Sequence, residues 1–314
     1  MYFFFLTSFI LVVLLNIYFI PLFRTIKCGQ SIRELGPQEH FKKSGTPTMG
    51  GVFIVIAITL ILLFYGWTNA IINEIFMLIF PIIYYSIVGF IDDFLKVKTR
   101  NNRGISPLVK LTLQVIGGLI YIIIFRSKFD TSVNVFGYYY DMGSLYYLFV
   151  VFLFVAVTNA YNLCDGLDGL ASGVGLIIIT SLVFIIKDEV HNVYVFVSLG
   201  AILGFLVYNF HPAKIFMGDT GSLAIGALLT NLFILLKIEF YLIIFAFPLV
   251  IEVVSVIIQV IYFKLTKGRR IFLMTPVHHH LELLGYKELE VDILFWGLTV
   301  LCSFLGIYFS TYFS

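Results

Sequence analysis

The sequence predicts an all-α, polytopic integral membrane protein of ten transmembrane helices, and three observations carry that prediction. Of its 314 residues, 60% are hydrophobic and only 12% charged, about half the ~25% charge of an ordinary soluble domain. Apolar stretches long enough to cross a ~30 Å hydrocarbon core recur along the whole chain. Lysine and arginine, finally, are so unevenly divided between alternate loops that they set an orientation. The predicted organisation is one transmembrane domain, 1–314, with no break in composition to mark a second.

The first span, 2–22, lacks a positive leading region and a small-residue cleavage site, so it reads as a retained helix rather than a signal peptide. Spans follow at 49–65, 71–91 and 108–125. Residues 128–143 contain SVNVFGYYYDMG, whose alternation about Gly137 suggests a small β-hairpin. The next spans are 145–159, 169–186, 193–209 and 222–236, of which the first and last are short. The ninth, 240–262, contains Pro248, which should bend it. Glu252, Ser255 and Gln259 recur along it at three and four residues, a polar stripe that must face protein or a water-filled cleft. A bent helix of this kind could open a groove to lipid. The tenth span is 292–313.

Loops after odd-numbered spans hold 15 of the 20 Lys and Arg residues and those after even-numbered spans hold 4, Lys110 lying at the start of the fourth span. Positive charge accumulates on the cytoplasmic side. Both termini and the hairpin are therefore expected outside, the hairpin in the periplasm, and the odd loops inside. The net charge of +2 gives no reason to expect nucleic acid, and Cys28, Cys164 and Cys302 lie too far apart to suggest a metal site or a disulfide framework.

Every unusual polar motif falls on that inner side, which points to one cytoplasmic face for binding or catalysis. A channel or transporter would more naturally carry its polar groups near the midplane. TNAYNLCDGLDGL (158–170) places Asn159, Asn162, Asp165 and Asp168 at intervals of three, with no Lys or Arg among them. That spacing gathers amide and carboxylate oxygens on one side of a helical turn, which suits a polar ligand or a hard cation; a solvated interhelical loop is the plainer alternative. Asp92 and Asp93 end an apolar span with Lys96 one turn on. Adjacent helical residues point ~100° apart, so one acid can bind a metal or act as a base while the other holds Lys96 or the backbone. Gly218-Asp219-Thr220-Gly221-Ser222 is either an N-cap turn or a metal-binding loop open to phosphate. Lys42 and Lys43, beside the hydroxyls of KKSGTPT, can hold phosphates or simply flank a span. His278, His279 and His280 are too close in sequence for all three to converge on one zinc; hydrogen bonds to phosphate or sugar oxygens suit them better.

Taken together, KSGTPTMGG, Asp92-Asp93, NAYNLCDGLDGLA, the Asp219 loop and TPVHHHLELLG, in this order over residues 42–285, resemble the phospho-N-acetylmuramoyl-pentapeptide transferases (the MraY or translocase I family). These belong to the polyprenyl-phosphate N-acetylhexosamine 1-phosphate transferase superfamily. The chain is somewhat shorter than many of them, and Cys164 stands where a threonine or other small residue is expected. The resemblance implies ten helices, a bacterial cytoplasmic membrane, a homodimer and susceptibility to nucleoside natural-product inhibitors. It also implies Mg²⁺-dependent transfer of phospho-N-acetylmuramoyl-pentapeptide from its UDP carrier to undecaprenyl phosphate, giving lipid I and UMP. By motif, Asp92, Asp93 and Asp219 are the essential acids, with Asp219 on Mg²⁺ and Asp92 as base or, alternatively, nucleophile. Asn162, Asp165, Asp168, Asn209 and Phe216 are implied in nucleoside and sugar recognition. Lys43, Thr48, Lys96 and Gln259 are implied around the cleft, and His278, His279 and His280 at the pyrophosphate or sugar. A sibling transferase using UDP-N-acetylglucosamine would share the acids, and a lipid or nucleotide transporter would bind without releasing UMP.

Overall fold

In a computed structural model, residues 1–25, 43, 45–99 and 104–313 are described. Cys28, Lys42 and Ser44 of the motifs above lie outside them. The chain folds into α1 (Tyr2–Thr25), α2 (Gly51–Thr68), α3 (Ile72–Thr99), α4 (Pro107–Phe125), β1 (Ser132–Val135), β2 (Tyr138–Asp141) and α5 (Leu145–Cys164). There follow α6 (Leu170–Leu182), α7 (Glu189–Asn209), α8 (Gly218–Leu235), α9 (Leu242–Phe245), α10 (Phe247–Leu265), α11 (Val277–Leu283) and α12 (Glu288–Tyr312).

Nine of the described helices are long and apolar enough to cross a membrane. At the sixth expected span, α6 has only 13 residues, about 20 Å at 1.5 Å per residue. Two expected boundaries move in a way that matters chemically. α5 runs on to Cys164 rather than stopping at 159, so Asn159 and Asn162 sit on its last turns. α8 begins at Gly218 rather than 222, which puts Asp219 in its first turn. The ninth span is broken rather than bent: α9 ends at Phe245, and Pro248 lies in the first turn of α10, where its missing N–H has no helical partner to lose.

At the centre stands α8, buried at every residue from Thr220 to Ile234. Glycines allow its neighbours to close on its backbone. A Cβ on Gly51 of α2 would fall 2.1 Å from the Gly221 Cα, and one on Gly89 of α3 would fall 2.1 Å from the Asp219 carbonyl oxygen. Without a hydrophobic drive between helices in lipid, such close contact supplies the packing energy. The Gly89 contact also brings the next turn of α3 up to the start of α8. There Asp93 accepts from the backbone N–H of Asp219 (3.1 Å) and Thr220 (2.9 Å) and from the Thr220 hydroxyl (2.7 Å). One helix thus caps another.

The hairpin forms as expected, with β1 and β2 antiparallel and Val135 opposite Tyr138. Phe136 and Gly137 turn it with positive φ of 50° and 89°, and the Asn134 side chain accepts from the Gly137 N–H at 2.8 Å. Asn134 also donates to the Phe313 carbonyl at 3.1 Å, so the end of α12 and the hairpin share one end of the bundle. The start of α1 lies there too, with Phe4 edge-on to Tyr65 in the last turns of α2.

Candidate active site

The opposite end of the bundle is hollowed into a cleft of about 830 Å³. Its walls are the end of α3, the start of α4, the end of α5 with the following Asp165–Asp168 loop, the start of α8, and α11. Twelve residues singled out in the sequence line it: Lys43, Asp92, Asp93, Lys96, Asn162, Asp165, Asp168, Asn209, Phe216, Asp219, His278 and His279. Thr48, Gln259 and His280 do not.

At the floor, oxygens of Asp92, Asp93 and Asp219 lie within 4.8 Å of one another. Their partners divide the three acids by task. Asp93 spends both oxygens on the start of α8. Asp92 accepts from the Ile105 N–H at 2.8 Å and pairs with Lys96 at 2.5 Å. Asp219 takes Lys110 at 2.6 Å and Lys96 at 3.1 Å on one oxygen and the Asn162 amide at 3.0 Å on the other. Asn162 is itself fixed by a second bond to the Ser222 hydroxyl at 2.8 Å. The donor set of these three acids is carboxylate oxygen alone, which suits a hard divalent cation. Asp92 and Asp219 are the two acids able to offer it an oxygen, at present balanced by ammonium groups.

A second cluster forms the other wall. Lys43 reaches Asp168 at 2.7 Å and Glu288 at 2.5 Å. Glu288 accepts from the Asp168 N–H at 2.6 Å, and Asp168 from the Ala213 N–H at 2.9 Å. His211 Nδ1 lies 3.2 Å from Glu288 and 3.4 Å from Asp168. Burial pulls the Lys43 ammonium down, but the Glu288 and Asp168 carboxylates outweigh it and hold its pKa above the usual 10.5. Between the clusters, burial and the Asp219, Asp93 and Asp168 carboxylates push the Asp165 carboxyl well above the ordinary range. Asn209, at the cleft wall, also braces it: it accepts from Ser172 at 2.9 Å and donates to the Ile215 carbonyl at 3.1 Å.

The three histidines face three ways. His278 is fully buried, its Nδ1 3.2 Å from the equally buried Glu252 of α10. Its Nε2 edge rests on Gly166, where a Cβ would fall 2.3 Å away. His279 pairs with Glu282 at 2.8 Å. His280 accepts from the Leu273 N–H at 3.2 Å. Gln259 likewise accepts from the Ile271 and Phe272 N–H groups at 3.1 and 3.0 Å. Thr48 is buried with its hydroxyl against the start of α8, 2.9 Å from a Cβ placed on Gly218.

Lys110, His211 and Glu288 belong to the site yet were not among the residues expected there. Lys110 carried a signal, a lone cation at the mouth of an apolar span. His211 stood in NFHPAKIFMGDTGS, just ahead of the Asp219 loop, and nothing in the sequence set Glu288 apart.

A model of glycosyl transferase family 4 matches residues 75–237, and the phospho-N-acetylmuramoyl-pentapeptide-transferase signature 1 matches residues 43–55. The chain is similar over 96% of its length to curated phospho-N-acetylmuramoyl-pentapeptide-transferases, each covered over 95% of its own. Identity is 46% with that of Oceanobacillus iheyensis, 44% with that of Bacillus pumilus and 43% with that of Bacillus subtilis.

Proposed function

This chain belongs to the phospho-N-acetylmuramoyl-pentapeptide-transferase family, and from that premise we propose how its cleft performs the transfer. It moves phospho-N-acetylmuramoyl-pentapeptide from UDP-N-acetylmuramoyl-pentapeptide to undecaprenyl phosphate, giving lipid I and UMP. The observation that carries the reading is the Asp92–Asp219 carboxylate pair, set between Lys96 and Lys110 at one end of a membrane bundle. A water-soluble nucleotide sugar and a lipid phosphate can meet there. The Lys/Arg asymmetry supports placing that end on the cytoplasmic side of the bacterial inner membrane, with both termini and the hairpin opposite. Ten crossings, α6 included, and a homodimer open to nucleoside inhibitors belong to the same reading.

Phosphoryl transfer asks for alignment and for neutralised charge. Asp219 is the residue that would hold Mg²⁺, which when bound supplies positive charge to diphosphate oxygens. Lys96 and Lys110 carry flexible ammonium groups that can turn from Asp219 to phosphate oxygens. Asp168, Lys43 and Phe216 shape the nucleoside and sugar side, and His278 and His279 the opposing rim. In the step itself an oxygen of the lipid phosphate attacks the β-phosphorus, the bond to the bridging oxygen breaks, and UMP departs with that electron pair. Asp92 serves as base, accepting the proton of whatever lipid phosphate is still monoanionic. With a second pKa near ~6 for a phosphate monoester, most needs no such help at neutral pH. Direct attack by a lipid phosphate already largely dianionic needs no covalent carboxyl phosphate, which favours this role over that of a nucleophile.

The test is UMP release by purified protein with undecaprenyl phosphate and Mg²⁺, offered each sugar nucleotide in turn. Release with UDP-N-acetylmuramoyl-pentapeptide alone is expected. Release with UDP-N-acetylglucosamine alone would move the chain to the sibling branch, and binding without UMP would make it a transporter. A stoichiometric burst of UMP without lipid would make Asp92 the nucleophile.

A further inference from the structure

Two residues expected at the substrate, Gln259 and His280, instead hold a segment outside the cleft. Between α10 and α11 the chain makes an excursion. Gln259 of α10 accepts the Ile271 and Phe272 N–H groups, and His280 of α11 accepts that of Leu273. The Phe272 ring meets His280 edge-on at 5.5 Å. The excursion is thus pinned on one side to a membrane helix and on the other to the short helix whose His278 and His279 line the cleft.

What it presents outward is distinctive. Lys264, Lys267, Arg269 and Arg270 are all exposed, and among the described residues none has an acidic partner. Leu265, Ile271 and Leu273, interleaved with them, are 78%, 49% and 50% exposed. The helix leading there is apolar on its outer face, with Val254, Ile257, Ile258, Val260 and Ile261 exposed. Lipid tails suit that face, so the cations stand where the hydrocarbon ends. Aliphatic side chains dipping below a row of Lys and Arg fit a headgroup layer better than a nucleic acid or a protein surface.

We propose that residues 264–273 dock on the anionic headgroups of the leaflet at the cleft end, and that this contact holds α11 at the cleft rim. The positioning half rests on the transferase reading; the docking half does not. Each cation near an anionic surface strengthens association roughly fivefold, and salt screens the effect. The expected consequence is a preference for anionic lipid around the protein and turnover that rises with it.

The full chain would be reconstituted in phosphatidylcholine bilayers with and without about one third phosphatidylglycerol. Association of spin-labelled phosphatidylglycerol against spin-labelled phosphatidylcholine is read first, then kcat and KM for UMP release. Wild type should prefer the anionic probe and gain severalfold in kcat/KM in the anionic bilayer, both lost at high salt. The variant K264Q/K267Q/R269Q/R270Q should lose the preference and the gain while matching wild type in phosphatidylcholine. The charge-keeping variant K264R/K267R/R269K/R270K should retain both, and the pair K267Q/R269Q carries the test should the fourfold variant fail to fold. An unchanged probe preference in the glutamine variant would overturn the docking, and an unchanged kinetic gain would overturn the positioning of α11. Absence of UMP release in every bilayer would sink the transferase reading, with the probe arm still deciding the docking.

Discussion

At the scale of single residues, the site works by opposed charges held out of water. Lys43 shows the consequence most simply, since its ammonium neutralises two carboxylates, Asp168 and Glu288, that are 2% and 8% exposed, with the exposed His211 imidazole beside them. Lys43→Met strands both, and removing one partner of a buried pair costs about 3 kcal/mol or more. Because the folded-state pKa of Lys43 stands above 10.5, its contribution is complete below that pH and is lost as pH climbs through the raised value. The Tm gap between wild type and Lys43→Met should therefore be flat from about pH 6 to 9 and narrow only above ~10.5; a gap that closed near neutrality would exclude this origin. Asp219→Asn is a near-isosteric exchange that leaves Lys96 and Lys110 without the carboxylate they share. The variant should still insert and fold, with a lower Tm, yet lose turnover by about a hundredfold or more. Turnover within a few fold of wild type at low Mg²⁺ would remove Asp219 from the metal.

At the scale of elements, the contact between α3 and α8 places the acids. Gly89 lets the two backbones touch, and one turn later Asp93 caps α8 and Asp92 faces Asp219. A methyl group at Gly89 has 2.1 Å in which to fit, so Gly89→Ala should push the helices apart, lower the Tm by several degrees and cut kcat rather than raise KM. Thermal unfolding and steady-state kinetics on the same preparation check this, and an unaffected kcat in a destabilised protein would detach the contact from catalysis. Much of this level was legible in advance. The hairpin followed from alternation about Gly137, and the clustering of the acids at one end of the bundle from loop positions alone. Missed were features that depend on a partner far along the chain. That Asp93 would be spent on the start of α8 cannot be read from IDDFLK, nor can the pairing of Lys43 with Glu288 across 245 positions. Hydropathy windows also stop at the first polar residue, whereas helices stop where backbone bonding stops; α5 and α8 consequently extend past their apolar runs into the site.

For the molecule as a whole, the cleft and the hairpin lie at opposite ends of the bundle, so labelling from one side reports on both. Cys164 and Cys302 are buried and should stay silent. In a background lacking Cys28, a cysteine replacing the exposed Tyr139 should react with an impermeant maleimide added to intact cells, and one replacing Lys214 only after permeabilisation. The reverse pattern would invert the protein and put its acids on the wrong side for a cytosolic nucleotide.

The position of α8 has a bearing on biogenesis. It is the least apolar of the nine long helices, and its Asn231 is satisfied only by neighbours, accepting from the Tyr121 hydroxyl at 2.5 Å and donating to the Met77 carbonyl at 3.1 Å. A helix so composed partitions poorly into bare lipid. Yet α2, α3, α4 and α5, which receive it, all leave the ribosome earlier. The chain order therefore makes its own socket before the helix that needs it is synthesised. In a glycosylation-mapping insertion assay, α8 alone should insert inefficiently, and efficiently once α1–α7 precede it on the same nascent chain.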